Sequence, residues 1–100
     1  MASEDEFYAD IRSADGTYKF LVDGAWRESS SGRTCGSVAP TDANAPAYAF
    51  QACTPDEVDE AFAAARAAHR QWARTPLHER AALLPEVAAE MRARRAPMAA

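Results

Sequence analysis

The sequence predicts an α/β fold, with short strands in the first half of the chain and two amphipathic helices in the second half. Short stretches that alternate apolar with polar residues, separated by turn residues, predict the strands. Apolar residues that recur every three or four positions after residue 54 predict the helices. The small number of bulky apolar residues predicts that these elements belong to a larger core.

The 100 residues divide into two expected parts. Residues 1–17 are rich in acidic side chains, which is typical of a flexible lead-in. Residues 18–100 are expected to form the N-terminal portion of one domain, which is incomplete. Its strands are expected at about 18–53, and its helices at about 55–73 and 76–96.

The first strands are predicted to form a hairpin. Residues 18–22 and 25–28 read as short strands, and Asp23-Gly24 lies between them. A two-residue Asp-Gly connection suits a turn in which both residues adopt positive φ.

The next strands follow a serine-rich loop at residues 29–33. A short extended segment is expected at residues 34–38. Residues 40–46 contain two prolines, one Asp and one Asn, so we expect a turn-rich connection there. The alternation over residues 48–53 predicts a further strand.

The first helix has a sharp N-terminal signal. Thr54 is a suitable cap, Pro55 suits the first helical position, and Glu57 completes a capping box. The apolar stripe of this helix contains Val58, Phe62, Ala65, His69 and Trp72.

The second helix is predicted to start in the same way, at Thr75-Pro76. Pro85 lies inside the pattern, so we expect a kink there or two shorter helices. Pro97 is expected to end the helix. The apolar stripe contains Leu77, Ala81, Leu84, Ala88 and Met91, and Leu83 and Val87 widen it.

The composition is poor in residues that fill a core. Alanine contributes 25 residues to the 48% that are nominally hydrophobic, and only 21 residues carry a large apolar side chain. Leu, Ile, Val and Phe together number 13, below the share typical of a well-cored domain. We therefore expect the chain to need a partner, namely the remainder of its own enzyme or another protein.

Charge and hydropathy exclude several classes of protein. The net charge is −4 and the basic residues are dispersed, so no nucleic-acid partner is expected. No apolar run approaches the roughly 18 residues of a transmembrane helix, so no membrane partner is expected. The acidic N-terminus lacks the apolar stretch of a secretory signal, which favours a cytoplasmic location. Cys35 and Cys53 are then expected to be free thiols.

The sequence offers no cofactor-binding or metal-binding residues. A phosphate-cradling loop needs clustered glycines, whereas the four glycines here lie in separate turns. His69 and His78 lie on different predicted helices, without the further ligands that a zinc site needs. We interpret His69 as partly buried on the helix face, and His78 as a surface residue of the first turn.

The sequence also offers no catalytic residue. Cys53 directly precedes the expected helix cap, where positive potential lowers the pKa of a thiol. It also ends an alternating strand, where small buried thiols are common, so a structural role is favoured. Cys35 has no visible base nearby. The arginines at residues 92–95 could bind an anion, but a solvated helix end is favoured.

Several stretches of the chain resemble the opening of the aldehyde dehydrogenases. They read Tyr18-Lys19-Phe20-Leu21-Val22-Asp23-Gly24-Ala25-Trp26, Ser31-Gly32-Arg33, Val38-Ala39-Pro40-Thr41, Gln51-Ala52-Cys53-Thr54, Glu57-Val58-Asp59-Glu60-Ala61, Trp72-Ala73-Arg74-Thr75-Pro76-Leu77 and Glu79-Arg80-Ala81-Ala82-Leu83-Leu84. The resemblance covers about residues 18–98. Among subfamilies, the chain is most similar to the plant-type, non-phosphorylating, NADP-dependent glyceraldehyde-3-phosphate dehydrogenases.

The resemblance implies an oxidoreductase that converts an aldehyde into a carboxylate through a covalent cysteine intermediate, with hydride transfer to NAD(P)⁺. For this subfamily it implies NADP as the cofactor, NADPH and 3-phosphoglycerate as products, and a role in glycolysis. It also implies a homotetramer in which these strands and helices pack on a Rossmann-like cofactor domain. The family's catalytic and cofactor residues lie downstream, so the chain alone is expected to be inactive, and Cys53 is not the nucleophile.

Two alternatives stay open. Another aldehyde dehydrogenase, of the betaine-aldehyde or semialdehyde type, would open similarly. From a different class, the chain could be a stand-alone, non-catalytic module that binds a partner through its helix stripes.

Overall fold

The computed structural model describes residue 6 and residues 8–99, in which short strands precede helices. In chain order, the elements described here are β1 (Phe20–Val22), β2 (Ala25–Arg27), β3 (Thr34–Ala39), β4 (Asp42–Gln51), α1 (Pro55–Arg74), α2 (Leu77–Ala93) and α3 (Arg95–Ala99). They fall into two compact units. Among the described residues, the strand unit comprises residues 10–66, and the helix unit comprises residues 6, 8 and 9 with 67–99.

The β1–β2 hairpin has the predicted turn. The strands are antiparallel, with Val22 opposite Ala25. Asp23 and Gly24 have φ values of 51° and 74°, so both residues adopt the left-handed conformation of a type I′ turn. Because the twist of this turn matches the twist of the strands, Asp-Gly fixes the register. The prediction of a two-residue hairpin is confirmed.

The second hairpin joins β3 to β4 and differs from the prediction. β4 begins at Asp42, after a two-residue connection from β3, so the expected turn over residues 40–46 is confined to Pro40-Thr41. The register shifts on both sides of Val38, where Pro46 is its partner. Proline has no N–H for the ladder, and irregular pairing is where a strand tolerates it. The prediction of a turn-rich loop was wrong because pairing with β3 extends the strand.

Tyr18 connects the start of the strand unit to β4. Its N–H donates to the Ala49 carbonyl at 3.0 Å, and its carbonyl accepts from the Gln51 N–H at 3.0 Å. The rings of Tyr18 and Tyr48 meet edge to face, with centroids 5.8 Å apart. These contacts hold residue 18 beside the outer edge of the second hairpin.

The lead-in predicted over residues 1–17 lies partly outside the described residues, and its flexibility stays a prediction. Its last part has local hydrogen bonds. The Ser13 N–H donates to the Thr17 carbonyl at 2.8 Å, and Asp15 Oδ1 accepts from the Thr17 N–H at 2.9 Å. Thr17 is buried, so this end of the segment is packed within the strand unit.

The helix α1 begins where the capping residues predict. Thr54 Oγ1 accepts from the Glu57 N–H at 3.2 Å, and Glu57 Oε2 accepts from the Thr54 N–H at 2.8 Å. This reciprocal pair is a capping box, so that prediction is confirmed. Asp56 and Glu57 lie in the first turn and Arg74 in the last, as the helix macrodipole favours.

The start of α2 differs from the prediction. Thr75 does not cap α2, because its hydroxyl reaches back and donates to the Gln71 carbonyl at 3.0 Å. Its N–H likewise approaches the carbonyls of Gln71 and Trp72 at 3.1 Å. Pro76 is the cap residue, and its carbonyl accepts from Arg80 at 3.1 Å. Thr75 therefore closes α1, and the repeated cap-plus-proline start was wrong.

Pro85 lies inside α2, which runs as one helix from Leu77 to Ala93. The expected division into two shorter helices was therefore wrong. Proline leaves the Ala81 carbonyl without its usual donor four residues later. The side chains of Ala81 and Pro85 are exposed, so this turn lies at the surface, where water can hydrogen-bond to a carbonyl.

Pro97 does not end α2, because the helix stops at Ala93 and Pro97 is buried inside the short helix α3. The carbonyl of Pro97 accepts a hydrogen bond from the Tyr8 hydroxyl at 2.6 Å. This hydrogen bond connects residue 8 to α3 within the helix unit. None of the helices in the described part of the chain is both long and apolar enough to cross a bilayer.

Few side chains are buried. Within the described residues, Val22 is the one large apolar side chain in the core, with 9% exposure. The other strongly buried side chains of the strand unit are polar, namely Thr17 and Glu57. A core of this kind agrees with the expectation that the apolar helix stripes lack an internal partner.

Candidate functional site

The Glu57 carboxylate is the most densely hydrogen-bonded group of the strand unit. Its Oε1 accepts from the Ser30 N–H at 2.8 Å and lies 3.1 Å from the Ser30 hydroxyl. Its Oε2 accepts from the Thr54 N–H at 2.8 Å and lies 2.7 Å from the Ser29 hydroxyl. We call Ser29, Ser30, Thr54 and Glu57 the Glu57 cluster.

These donors favour the ionised form of Glu57. The backbone hydrogen bond from Ser30 has the largest effect, followed by the backbone hydrogen bond from Thr54 and the Ser29 hydroxyl. Together they lower the pKa of Glu57 to about 2. A carboxylate with this pKa is a weak base at neutral pH. The Glu57 cluster is therefore suited to hold the serine loop against the first turn of α1, and unsuited to move protons.

A second network extends from the Glu57 cluster. The Ser29 N–H donates to Gln51 Oε1 at 2.6 Å, and Gln51 Nε2 donates to Thr17 Oγ1 at 3.3 Å. The Thr17 hydroxyl in turn donates to Asp15 Oδ1 at 2.6 Å. The hydrogen bonds from Thr17 lower the pKa of Asp15. The network thus links the serine loop to β4 and to the segment before β1.

The role of the serine loop at residues 29–33 was not predicted from the sequence. The Glu57–Thr54 pair follows from the spacing of a capping box, whereas the bonds to Ser29 and Ser30 span 28 and 27 residues. Three consecutive serines beside a turn glycine were the available signal, because serine hydroxyls and loop N–H groups seek acceptors.

Much of the apolar stripe of each helix is exposed. In the strand unit, Phe62 of α1 is 68% exposed. In the helix unit, Leu77 and Leu84 of α2 are 73% and 69% exposed. Large apolar side chains aligned on one helix face at such exposure are typical of a surface that another element covers.

Other apolar side chains of α2, together with Met98 of α3, line a groove on the helix unit. It has a volume of about 480 Å³, and Glu86, Glu90 and Arg94 lie at its edges. Arg94 Nε pairs with Glu90 Oε2 at 3.1 Å. The apolar residues of this helix groove are Leu83, Val87, Met91 and Met98.

The cysteines and histidines are not brought together into a site. Cys35 and Cys53 are free thiols, Cys35 exposed and Cys53 half-buried. His78 is exposed on the first turn of α2, as predicted. His69 is also exposed, so its interpretation as partly buried was wrong, because the described residues leave this side chain accessible to solvent. In the part of the chain that the structure describes, no group of three metal-ligating side chains could hold a metal.

The arginines at residues 92–95 do not converge on one point. Arg94 is paired with Glu90, whereas Arg92 and Arg95 border a separate, shallow depression with Ala96 and Ala99. This arrangement agrees with the favoured interpretation of a solvated helix end.

The described residues form a segment of an α/β protein in which strands precede helices. The helices of this segment expose large apolar side chains. The family model of the aldehyde dehydrogenase family matches residues 26–100. The chain therefore belongs to the aldehyde dehydrogenase family.

Relatives within the family are similar over most of the chain. It is 42% and 41% identical over 92 residues to the NADP-dependent glyceraldehyde-3-phosphate dehydrogenases of Triticum aestivum and Zea mays. These matches cover 92% of this chain and 18% of each relative. A vanillin dehydrogenase of Corynebacterium glutamicum is 39% identical over 66 residues, which cover 66% of this chain and 13% of that protein. No solved structure gives a significant match.

Proposed function

We propose that this chain is the N-terminal portion of an NADP-dependent oxidoreductase that converts glyceraldehyde 3-phosphate into 3-phosphoglycerate, and that its role there is structural. The observation that carries the proposal is the similarity to the two cereal enzymes, which extends over nearly the whole chain. The chain spans about 18% of the length of these relatives, which supports a role as one segment of a longer enzyme.

The reaction consumes the aldehyde, NADP⁺ and water, and yields the carboxylate, NADPH and two protons. It requires an activated nucleophile, an oxyanion-stabilising site and a general base. Glu57 is a poor candidate for the base, because its pKa of about 2 makes it a weak proton acceptor at neutral pH. We therefore assign the catalytic groups to the remainder of the enzyme and none to this chain.

The cofactor is also assigned to the remainder. A helix N-terminus binds a phosphate through free N–H groups, but the first turn of α1 has an ionised carboxylate there. Glu57 accepts from the Thr54 N–H and would repel a phosphate at that position. Gly16, Gly24 and Gly32 adopt positive φ in separate turns, which is a poor fit to a dinucleotide loop.

The exposed helix faces supply the structural role. We assign the helix groove and the exposed side of α1 as surfaces that pack on the Rossmann-like cofactor domain of the same enzyme. Burial of each large apolar side chain there contributes roughly 1.5–3 kcal/mol. The complete enzyme is proposed to be a cytoplasmic homotetramer of glycolysis.

The match to the vanillin dehydrogenase supports a second candidate substrate class, because the name of that relative specifies a different aldehyde. An aldehyde dehydrogenase with another substrate, such as a betaine aldehyde or a semialdehyde, would use the same structural segment. The residues that select the aldehyde lie outside this chain in both cases.

The test is a chimera of the Triticum aestivum enzyme in which this chain replaces the matching 92-residue segment. We expect NADP⁺-dependent oxidation of glyceraldehyde 3-phosphate within about tenfold of the parent kcat, since the exchanged segment supplies packing and no reacting group. A folded chimera without activity would contradict the structural role.

The matched control is a chimera with the corresponding segment of the vanillin dehydrogenase. If this control retains the same activity and substrate preference, specificity resides outside the segment. If either exchanged segment changes the preferred aldehyde, the assignment of specificity to the remainder is wrong.

A further inference from the structure

We propose that Ser30 is a phosphoacceptor and that its phosphorylation breaks the contact between the serine loop and the first turn of α1. Nothing in the proposed oxidoreductase role requires this modification. It follows from the accessibility of one serine, its carboxylate neighbour and an arginine three residues earlier.

Of the three serines in the loop, Ser30 is the accessible one. Ser29 and Ser31 are half-buried, and both hydroxyls lie within hydrogen-bond distance of the Ala52 carbonyl. Ser30 is exposed, and its hydroxyl lies 3.1 Å from Glu57 Oε1. Ser30 is therefore the serine of this loop that is most accessible to a transferase.

The consequence of phosphorylation is set by Glu57. Glu57 is 6% exposed as a residue, its carboxylate is ionised at neutral pH, and the Ser30 oxygen lies 3.1 Å from Oε1. A phosphate on that oxygen adds a charge of about −1.5 to −2 at neutral pH. Two anionic groups in contact repel each other, and the fully ionised phosphate has no hydrogen to donate. The hydrogen bonds from the Ser30 and Thr54 N–H groups to the same carboxylate then weaken.

Arg27 supplies a recognition element. It lies three residues before Ser30, the spacing that arginine-directed serine kinases use to place a guanidinium against their own carboxylates. Arg27 Nη1 pairs with Glu60 Oε2 at 2.6 Å, and the two side chains are 43% and 55% exposed. Exposed ion pairs contribute little, so a kinase carboxylate can replace Glu60.

The phosphoryl transfer to Ser30 requires one co-reactant, ATP. The Ser30 oxygen bonds to the γ-phosphorus, and the bond from that phosphorus to the β–γ bridging oxygen breaks. The hydroxyl proton passes to the catalytic base of the kinase, and ADP leaves.

The experiment incubates the 100-residue chain with ATP and an arginine-directed serine kinase, maps the phosphate by mass spectrometry, and measures hydrogen exchange of the Thr54 amide at neutral pH. Thr54 is 24 residues from the modified position, so faster exchange reports loss of its bond to Glu57. We expect phosphate on Ser30 and Thr54 exchange at least about tenfold faster. Phosphate on Ser29 or Ser31, no phosphate, or unchanged Thr54 exchange would each overturn the proposal.

Three variants separate recognition from structure. Arg27→Gln is expected to lower phosphate incorporation about tenfold or more. Glu60→Gln removes the same ion pair but is expected to leave phosphate incorporation unchanged. Ser30→Ala is expected to abolish incorporation while Thr54 exchange stays slow, since the Ser30 N–H remains. Equal incorporation by the Arg27 and Glu60 variants would contradict the recognition role of Arg27.

Discussion

The Glu57 carboxylate and the Ser30 N–H lie 27 residues apart in the sequence and are joined by a hydrogen bond of 2.8 Å. The same carboxylate accepts from the Thr54 N–H at 2.8 Å. One side chain thus caps a helix and anchors a distant loop. This relationship connects the serine loop to the first turn of α1.

The stability of the Glu57 cluster is expected to fall in acid. The folded pKa of about 2 lies below the ordinary value of 4.5, so the cluster stabilises the folded form fully above pH 4.5. This contribution is lost progressively as the pH falls from 4.5 towards 2. An NMR titration of the Ser30 and Thr54 amide shifts is expected to show a midpoint near 2, and a midpoint near 4.5 would contradict the observed hydrogen bonds.

Substitution of Glu57 is expected to loosen two segments at once. In Glu57→Gln one carboxylate oxygen becomes an NH₂ group, which cannot accept a hydrogen bond, and the remaining oxygen loses the negative charge that strengthens its bond. We expect hydrogen exchange at both amides to become about tenfold faster or more. Glu60→Gln, one helical turn later, breaks only the exposed pair with Arg27 and is expected to leave both amides unchanged. Equal effects of the two variants would show that Glu57 has no special role.

The first hairpin is expected to depend on Gly24. Gly24 has a φ of 74°, where a side chain costs roughly 1–2 kcal/mol, so Gly24→Ala is expected to lower the hairpin population. Gly36 is the matched control, because its φ is not positive and an added Cβ would lie 3.9 Å from the Tyr48 carbonyl. Cross-strand NOEs between Leu21 and Trp26 measure the population. NOEs that weaken equally in both variants would refute the turn argument.

The helix groove is expected to bind a hydrophobic dye in the isolated chain. Exposed apolar surface enhances the fluorescence of anilinonaphthalene sulfonate. The double variant Val87→Gln, Met91→Gln is expected to lower this signal by roughly half, since both side chains line the groove. Ala89→Gln, at an exposed position outside the groove lining, is the control and is expected to leave the signal unchanged. No enhancement in the unsubstituted chain would mean that the groove is covered.

Local spacing predicted the features that neighbouring residues determine. The Asp23-Gly24 turn and the start of α1 at Thr54-Pro55 follow from residues within four positions of each other. The turn depends on the backbone conformation of two adjacent residues. The helix start depends on a nearby side chain that accepts a hydrogen bond from an otherwise unpaired backbone N–H. The family resemblance was likewise visible from short motifs.

Features that depend on distant partners were missed. The beginning of β4 at Asp42 depends on pairing with β3, which overrides the turn preferences of residues 40–46. Thr75 closes α1 because both its N–H and its hydroxyl donate to the Gln71 carbonyl, so a threonine before proline was not a sufficient helix-start signal. The exposure of His69 could not be predicted, because an apolar stripe indicates a buried face only where a partner covers it.

The most direct test of the central claim is an assay of the purified 100-residue chain with NADP⁺ and glyceraldehyde 3-phosphate. Every reacting group is assigned to the remainder of the enzyme, so we expect no NADPH above the rate without protein. NADPH production proportional to the concentration of the chain would show that this chain has catalytic groups of its own.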